Sequence, residues 1–398
     1  YNTVEHLLAW LATFASGKTW VPLNPRNGKP ELDRICEVTG PTIVFVDADC
    51  SDKVNSGFAT RITAKLGSAK PEEKTLAGLV DAFMGKMPKR HDINLDDLQA
   101  IKFTGGSSGQ PKGCMQTYRV WNTCITSMLI EFNFDENDRH LLAAPMTHGT
   151  NTLIMPTFAA GGTQVLMGPA KPAAIIEALE AERVTSIFLP PTVIYMMLDE
   201  EGIEDCDFTG LKHLIVGGAA IRKDEVQRAM SVFNNALETC YGQTEAPQIV
   251  TCMRSEDWIK PENWASTGRA TCNTRVETMD PDGNIMPCGE SGEIVVKGDL
   301  VMKGYFEMPD KTAETIIDGW LHTGDVGVID DRGFIYIKDR IRDVVITGGF
   351  NVYPSDVETV LGQHPDVTEC VVFGVPDRKW GEALTAAVEV RKGSSATS

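Results

Sequence analysis

A chain of 398 residues with 42% hydrophobic content is too long for one ordinary core, and it has no apolar run long enough to predict a membrane-spanning helix. Its formal charge of −18 argues against nucleic acid or an anionic membrane surface as a partner, because either would repel it at long range. Ten cysteines stand singly, without Cys-x-x-Cys pairs or zinc-like spacing, which points to idle thiols in a reducing, cytoplasmic compartment and to no cysteine metal cage.

The first expected element is a helix from Asn2 to Ala15, with Asn2 and Glu5 at capping-box spacing and Leu7, Leu8, Leu11 and Phe14 in an apolar stripe. Apolar runs at Pro41–Val46, Ser186–Leu189 and Leu211–Val216 alternate with helical stretches such as Ala173–Glu182. That alternation predicts helices wrapped on largely parallel sheets, an α/β fold. Between them, Phe103 to Gly113 gathers glycines, hydroxyls and one lysine in a form suited to polyphosphate. Glycines bring backbone N–H groups close to anionic oxygens, Thr104, Ser107 and Ser108 add donors, and Lys112 adds a movable positive charge.

Further along, Gly217-Gly218-Ala219 ends an apolar strand, and its lack of large side chains suits either a pocket or a plain tight turn. The strand Ala236–Thr239 would deliver Tyr241-Gly242-Gln243-Thr244-Glu245 to the C-terminal edge of a sheet, where α/β proteins bind ligands. From about Thr267 to Ile337 the pattern changes to short strands and turns, including Asp282-Gly283, Glu293–Val296, Asp331-Arg332-Gly333 and Phe334–Ile337. Asp330 and Asp331 read as solvated turn formers. Beyond Arg342 come a strand at Val344–Thr347, a helix with a capping box of Ser355 and Glu358, and strands at Glu369–Gly374 and Thr385–Val390. The polar stretch Gly393–Ser398 carries no core pattern.

Five segments, in order and spacing, resemble the adenylate-forming superfamily of acyl-CoA synthetases, aryl-CoA ligases, luciferases and peptide-synthetase adenylation domains. These are the loop Thr104–Gly113, Tyr241–Glu245, His322-Thr323-Gly324-Asp325, Asp339-Arg340-Ile341-Arg342-Asp343 and Trp380-Gly381-Glu382. The resemblance implies a large N-terminal adenylation domain of stacked α/β subdomains with a small β-barrel-like subdomain, over residues 1–341, the β-rich part covering about 267–341. An incomplete small α+β C-terminal domain, mobile in the family, would follow over 342–398. Trp20-Val21-Pro22-Leu23-Asn24-Pro25 resembles a segment that lies well inside the family's first domain, so an upstream portion is expected before Tyr1.

The implied activity is that of an AMP-forming acid–CoA ligase using ATP, Mg²⁺ and coenzyme A, with a small carboxylic acid as substrate. In that reading Thr104, Gly105, Gly106, Ser107, Ser108, Gly109 and Lys112 hold phosphates, Gly105 standing where the family commonly has serine. Tyr241 and Gly242 face adenine, Thr244 reaches the α-phosphate, and Glu245 is the magnesium ligand. Asp325 accepts from the ribose hydroxyls, and Arg340 donates to the sugar or a phosphate. His148 matches the gate beside the acyl carbonyl, and Gly217, Gly218 and Ala219 flank adenine and acyl group. Arg342 is the hinge, and Gly348, Gly349 and Trp380 line the pantetheine tunnel.

The acyl pocket is expected after His148, at the Pro190–Val193 turn and at Gly217–Ala219, for a fatty or aromatic acid. The family's adenylation lysine lies well beyond Trp380-Gly381-Glu382, and no segment after Val390 matches it, so the sequence is expected to belong to a longer enzyme. Two alternatives stay open: an adenylation domain that loads a carrier-protein phosphopantetheine, and a nucleotide-binding protein made inactive by loss of that lysine.

Overall fold

The computed structural model describes residues 1–55, 57, 60–64, 74–89, 91–104, 111–169, 171–347 and 350–391. Gly105 to Gly109, Gly348 and Gly349, assigned above to phosphate and pantetheine, lie outside the described residues. Among the described residues no helix is long and apolar enough to cross a membrane.

The apolar runs form the centre of a seven-stranded sheet. In spatial order its strands are Arg269–Ala270, Thr251–Met253, Leu237–Tyr241, His213–Val216, Ser186–Leu189, Arg139–Leu142 and Thr163–Leu166. The last five are mutually parallel, whereas Thr251–Met253 runs antiparallel to Leu237–Tyr241. Parallel strands need cover on both faces, and the period-two alternation of side chains supplies an apolar set to each. Ile187 and Leu189 pack on one face with Ile175, Leu179, Ile194 and Val226 from three helices. Phe188, between them in sequence, turns to the other face and packs with Met128 and Phe132 of the helix Tyr118–Phe132. This is the expected α/β arrangement.

The phosphate-type loop joins two antiparallel strands, Leu98–Thr104 and Lys112–Thr117, in which Thr104 stands opposite Lys112. Gly304–Tyr305 adds a third strand, with Tyr305 opposite Cys114. The β-rich region forms a separate antiparallel sheet of Arg275–Met279, Ser291–Lys297, Trp320–Ile329, Ile316–Ile317 and Ile335–Arg340. Register shifts between Glu293 and Val295 and between Val326 and Gly327 bend this sheet beside the His322–Asp325 turn. A last sheet holds Phe350–Val352, Val345–Thr347, Gly381–Val390 and Val367–Asp377, with the helix Pro354–Leu361 packed against it.

Two helix starts differ from the expected ones. The first helix is Val4–Ala15, and its cap is Thr3, whose hydroxyl accepts from the His6 N–H at 3.2 Å. Asn2 has left the capping position for distant partners: its amide donates to the carbonyls of Leu142 and Ala144 and accepts from the Met146 N–H. The later helix, Pro354–Leu361, has no side-chain cap. Pro354 at its first position carries no N–H to satisfy. Ser355 instead bonds the Lys338 carbonyl and, through its N–H, Asp339, while Glu358 accepts from the Val372 N–H at 2.7 Å.

His140 is fully buried in the parallel sheet, its Nδ1 2.9 Å from Ser186 Oγ. Its Nε2 has no hydrogen-bond partner among the described residues. Burial, and then the nearby His213, lower its pKa from 6.5 to about 3. The native state therefore keeps this ring neutral, while the unfolded chain takes up a proton as pH falls below 6.5. Its contribution is complete above that pH and is lost on the way down towards 3. Between about pH 7 and pH 5 the effect amounts to about 2 kcal/mol. Urea unfolding at both pH values should give a drop that is smaller by that amount in His140→Asn than in the parent. Equal drops would mean that the native ring carries a proton.

Candidate active site

The strand Leu237–Tyr241 carries the segment Tyr241–Glu245 off the parallel edge of the large sheet, and three other parts of the chain meet it there. At one end, the Tyr241 hydroxyl donates to Asp325 Oδ2 at 2.6 Å and Gln243 Nε2 donates to the same oxygen at 2.8 Å. Gln243 also donates to the Thr323 carbonyl at 3.0 Å. Arg340 Nε lies 3.5 Å from the other oxygen, Asp325 Oδ1. Asp325 is 6% exposed, and burial raises its pKa although Tyr241, Arg340 and Gln243 all pull the other way. Burial, and then the Asp325 charge, push the Tyr241 phenol well above its usual value. The phenol thus stays a donor and the carboxylate an acceptor.

The His322–Asp325 turn is fixed from behind. Gly324 has φ of 74°, a left-handed conformation that glycine adopts without strain. Glu293 accepts from the Gly324 N–H at 2.9 Å and pairs with His322 Nδ1 at 2.7 Å. Thr323 Oγ1 donates to the Ile294 carbonyl at 2.6 Å and accepts from the Asp325 N–H at 3.1 Å. His322 thus braces the turn.

At the other end of the segment, Tyr305 stands between Lys112 and Glu245. Its hydroxyl donates to Glu245 Oε1 at 2.7 Å and lies 3.3 Å from Lys112 Nζ, which also sits over the ring at 4.5 Å from its centre. Burial, and then Glu245, raise the Tyr305 phenol. Bonds to the segment's backbone hold the frame: the Gln116 side-chain Nε2 donates to the Thr244 carbonyl at 2.8 Å, and the Met302 N–H donates to the Glu245 carbonyl at 2.8 Å. The basic end of the phosphate-type loop and the acidic end of the Tyr241 segment are thereby brought together.

His148 is exposed next to buried Thr147, sharing a hydrogen bond of 2.9 Å between its Nδ1 and Thr147 Oγ1. Desolvation, and then the charge of Lys102, lower its pKa, favouring a neutral ring. Gly217 follows the strand His213–Val216, where a Cβ would fall 2.7 Å from the ring of Phe188. Gly218 has open space around it, and Ala219 is exposed. The structure does not bring Trp380 to this group. Its half-exposed indole lies beneath Lys379 Nζ in the turn between the two long strands of the last sheet, and the Trp380 backbone N–H donates to Asp377 Oδ1. Arg342 is exposed, with Nε 3.5 Å from Asp343.

Sequence reasoning passed over Gln243, Tyr305 and Glu293. Gln243 sat inside a motif already quoted, and its position between two bonding neighbours was the available signal. Tyr305 and Glu293 gave none, because their partners lie 60 and 29 to 31 residues away.

A family model described as AMP-binding enzyme matches residues 1–306, and one for the AMP-binding enzyme C-terminal domain matches 356–398. The chain is 35% identical over 398 aligned residues to a feruloyl-CoA synthase of Streptomyces sp., covering 99% of this chain and 78% of that protein. It is 36% identical over 304 residues to the medium/long-chain-fatty-acid–CoA ligase FadD8 of Mycobacterium tuberculosis, covering 76% of this chain but only 53% of FadD8. The crystal structure of ATP-bound MatB from Rhodopseudomonas palustris superposes with a TM-score of 0.88 at 30% identity, covering 99% of this chain and 78% of MatB. Matched along most of its length in both sequence and fold, the chain belongs to the AMP-binding, adenylate-forming enzyme family.

Proposed function

We propose that the protein is an AMP-forming acid–CoA ligase, with residues 1–341 as its adenylation domain and 342 onwards as a mobile C-terminal domain turning about Arg342. The observation that carries this reading is the position of one segment, Tyr241–Glu245. It bonds a buried carboxylate suited to ribose at one end and reaches the phosphate-loop lysine through Tyr305 at the other. FadD8 is a medium/long-chain-fatty-acid–CoA ligase and the Streptomyces relative a feruloyl-CoA synthase, and on that likeness the acid is fatty or aromatic and the acceptor is coenzyme A.

A carboxylate is a poor electrophile, so it first needs a leaving group. Its oxygen attacks the α-phosphorus of ATP and expels pyrophosphate, and the coenzyme A thiolate then attacks the acyl-adenylate carbonyl and releases AMP. Phosphoryl chemistry of this kind asks a protein for position and charge neutralisation. Lys112 and Thr104, opposite each other across the loop, would hold the β- and γ-phosphates. The ring of Tyr241 would stack on adenine while Asp325, relieved of its bonds to Tyr241 and Gln243, accepts from the ribose diol. Thr244 would reach the α-phosphate, and neutral His148 would stand beside the acyl carbonyl.

Among the described residues no group of three His, Cys, Asp or Glu side chains could hold a metal ion. A single carboxylate, Glu245, fits Mg²⁺ here, because that ion keeps several waters and binds through one or two carboxylates plus substrate phosphates. When bound, the ion would neutralise phosphate charge. Tyr305, bonded to Glu245 Oε1, would fix the carboxylate's rotamer.

Three outcomes test this reading. Full-length protein given ATP should release pyrophosphate only when a fatty or aromatic acid is added, and AMP should form at an increased rate with coenzyme A; acid-independent hydrolysis would refute the ligase assignment. Asp325→Ala should weaken ATP binding by about 2 kcal/mol through lost charged hydrogen bonds, read by calorimetry. Unchanged affinity would remove Asp325 from the ribose site. Tyr305→Phe should raise the Mg²⁺ concentration for half-maximal ATP binding by roughly 3- to 10-fold, with little change in affinity for AMP alone. An unaltered magnesium dependence would separate Tyr305 from the metal carboxylate.

A further inference from the structure

Lys102 is a buried cation that the ligase steps above leave unused. It is 8% exposed, and among the described residues no carboxylate pairs with it. Its Nζ donates to Asn151 Oδ1 at 2.8 Å and lies 5.0 Å from the ring centre of Trp121 and 5.5 Å from that of Trp20. The groups that face it from the helix Tyr118–Phe132 and the strand Lys112–Thr117 are the thiols of Cys124 and Cys114, which burial keeps neutral. An apolar side chain of similar volume would fill this place without the cost of desolvating a charge, so packing alone does not account for the ammonium.

Two buried paths lead away from it. In one direction, Asn151 belongs to the short 3-10 helix Gly149–Leu153 that follows His148, and its backbone N–H donates to the His148 carbonyl at 3.3 Å. Thr152 Oγ1 closes the same turn on the Gly149 carbonyl at 2.6 Å. In the other direction, the Trp121 indole N–H donates to Gln116 Oε1 at 3.1 Å, and Gln116 Nε2 donates to the Thr244 carbonyl. Asn151 and Gln116 are both fully buried, so water does not compete for these bonds. Lys102 itself stands on the strand Leu98–Thr104, where the period-two alternation puts it on the same face as Thr104. The paths thus end at His148, which the ligase reading sets beside the acyl carbonyl, and at Thr244, which it sets at the α-phosphate.

We propose that Lys102 is a positioning residue for acyl-adenylate formation: through Asn151 it fixes the turn that carries His148, and through Trp121 and Gln116 it ties that turn to Thr244. The acid's carboxylate and the α-phosphorus are then presented to each other at a set separation. Attack of one on the other depends steeply on that separation, because a displacement of about 1 Å costs about 100-fold in rate. The ammonium acts through its neighbours, and its charge has a second effect. Desolvation first, then Lys102 and then Arg26 hold the His148 ring below its usual pKa of 6.5 and so neutral. This inference rests on the ligase reading and adds to it a residue that sets the geometry of its first step.

The test follows acid-dependent exchange of pyrophosphate into ATP by the full-length protein, with 4-hydroxycinnamic acid and with dodecanoic acid. Lys102→Met should lower kcat by about 10- to 100-fold while the calorimetric Kd for ATP stays within about threefold of the parent. The acid limb of its kcat/KM profile should move to higher pH, because the His148 ring loses a cation that holds its pKa down. Lys102→Arg, which keeps the charge, should leave that limb in place. Asn151→Leu breaks the link but not the charge, so it should lower kcat with the limb unmoved, and it should add little to Lys102→Met. A thermal melt checks that each variant is folded, and Lys102→Gln serves if Lys102→Met is not. An unchanged kcat in Lys102→Met, or a fall in kcat with its acid limb unmoved, would overturn the inference while the ligase reading stands. Exchange by the parent with neither acid would bring down both.

Discussion

The hydrogen bond between the Tyr241 hydroxyl and Asp325 joins two sheets that have no strand in common, and the rest of the site depends on it. Tyr241 ends a parallel strand of the large sheet, while Asp325 lies on the long antiparallel strand Trp320–Ile329. A buried carboxylate is costly unless its lone pairs are occupied. Here a phenol, an amide and a guanidinium occupy them, and those donors come from residues 241, 243 and 340. Satisfying one acid therefore registers the two sheets, and the last strand of the β-rich one, against each other. Glu293 repeats the logic one layer back by holding His322 and the Gly324 N–H.

The phosphate end is organised by a different economy of charge. Lys112, Tyr305 and Glu245 form a chain in which a phenol separates cation from anion, so neither charge is neutralised by direct contact. Both stay ready for a polyanion and its counter-ion. Two residues before Thr104, Lys102 is buried, with Nζ 2.8 Å from Asn151 Oδ1 and close to the faces of Trp20 and Trp121. Burial lowers its pKa to about 8. An ammonium held by an amide and two indoles anchors the strand that leads into the loop, and its field reaches His148.

Much of this was legible in the sequence, for physical reasons. Buried parallel strands read as continuous apolar runs, and Ser186–Leu189 and His213–Val216 fell where such runs stood. The motif segments were legible because close packing around a nucleotide restricts residue choice along a few consecutive positions. The helix starts were not. Asn2 and Ser355 have the chemistry of capping residues, but tertiary partners at Ala144 and Lys338 outbid the local N–H groups. The same limit hid Tyr305 and Glu293, whose partners lie far along the chain.

The grip of Ser355 on the strand Ile335–Arg340 has a mechanical meaning. Its hydroxyl and N–H hold the Lys338 carbonyl and the Asp339 carboxylate from across the single stretch of chain that carries Arg342. Any twist of that stretch which carries the last helix away has to release both. Two such bonds contribute about 1–3 kcal/mol together, a modest tie between the helix Pro354–Leu361 and the strand. The strand it clasps ends in Arg340, whose guanidinium lies beside Asp325, so one strand carries both this tie and the carboxylate's cationic neighbour.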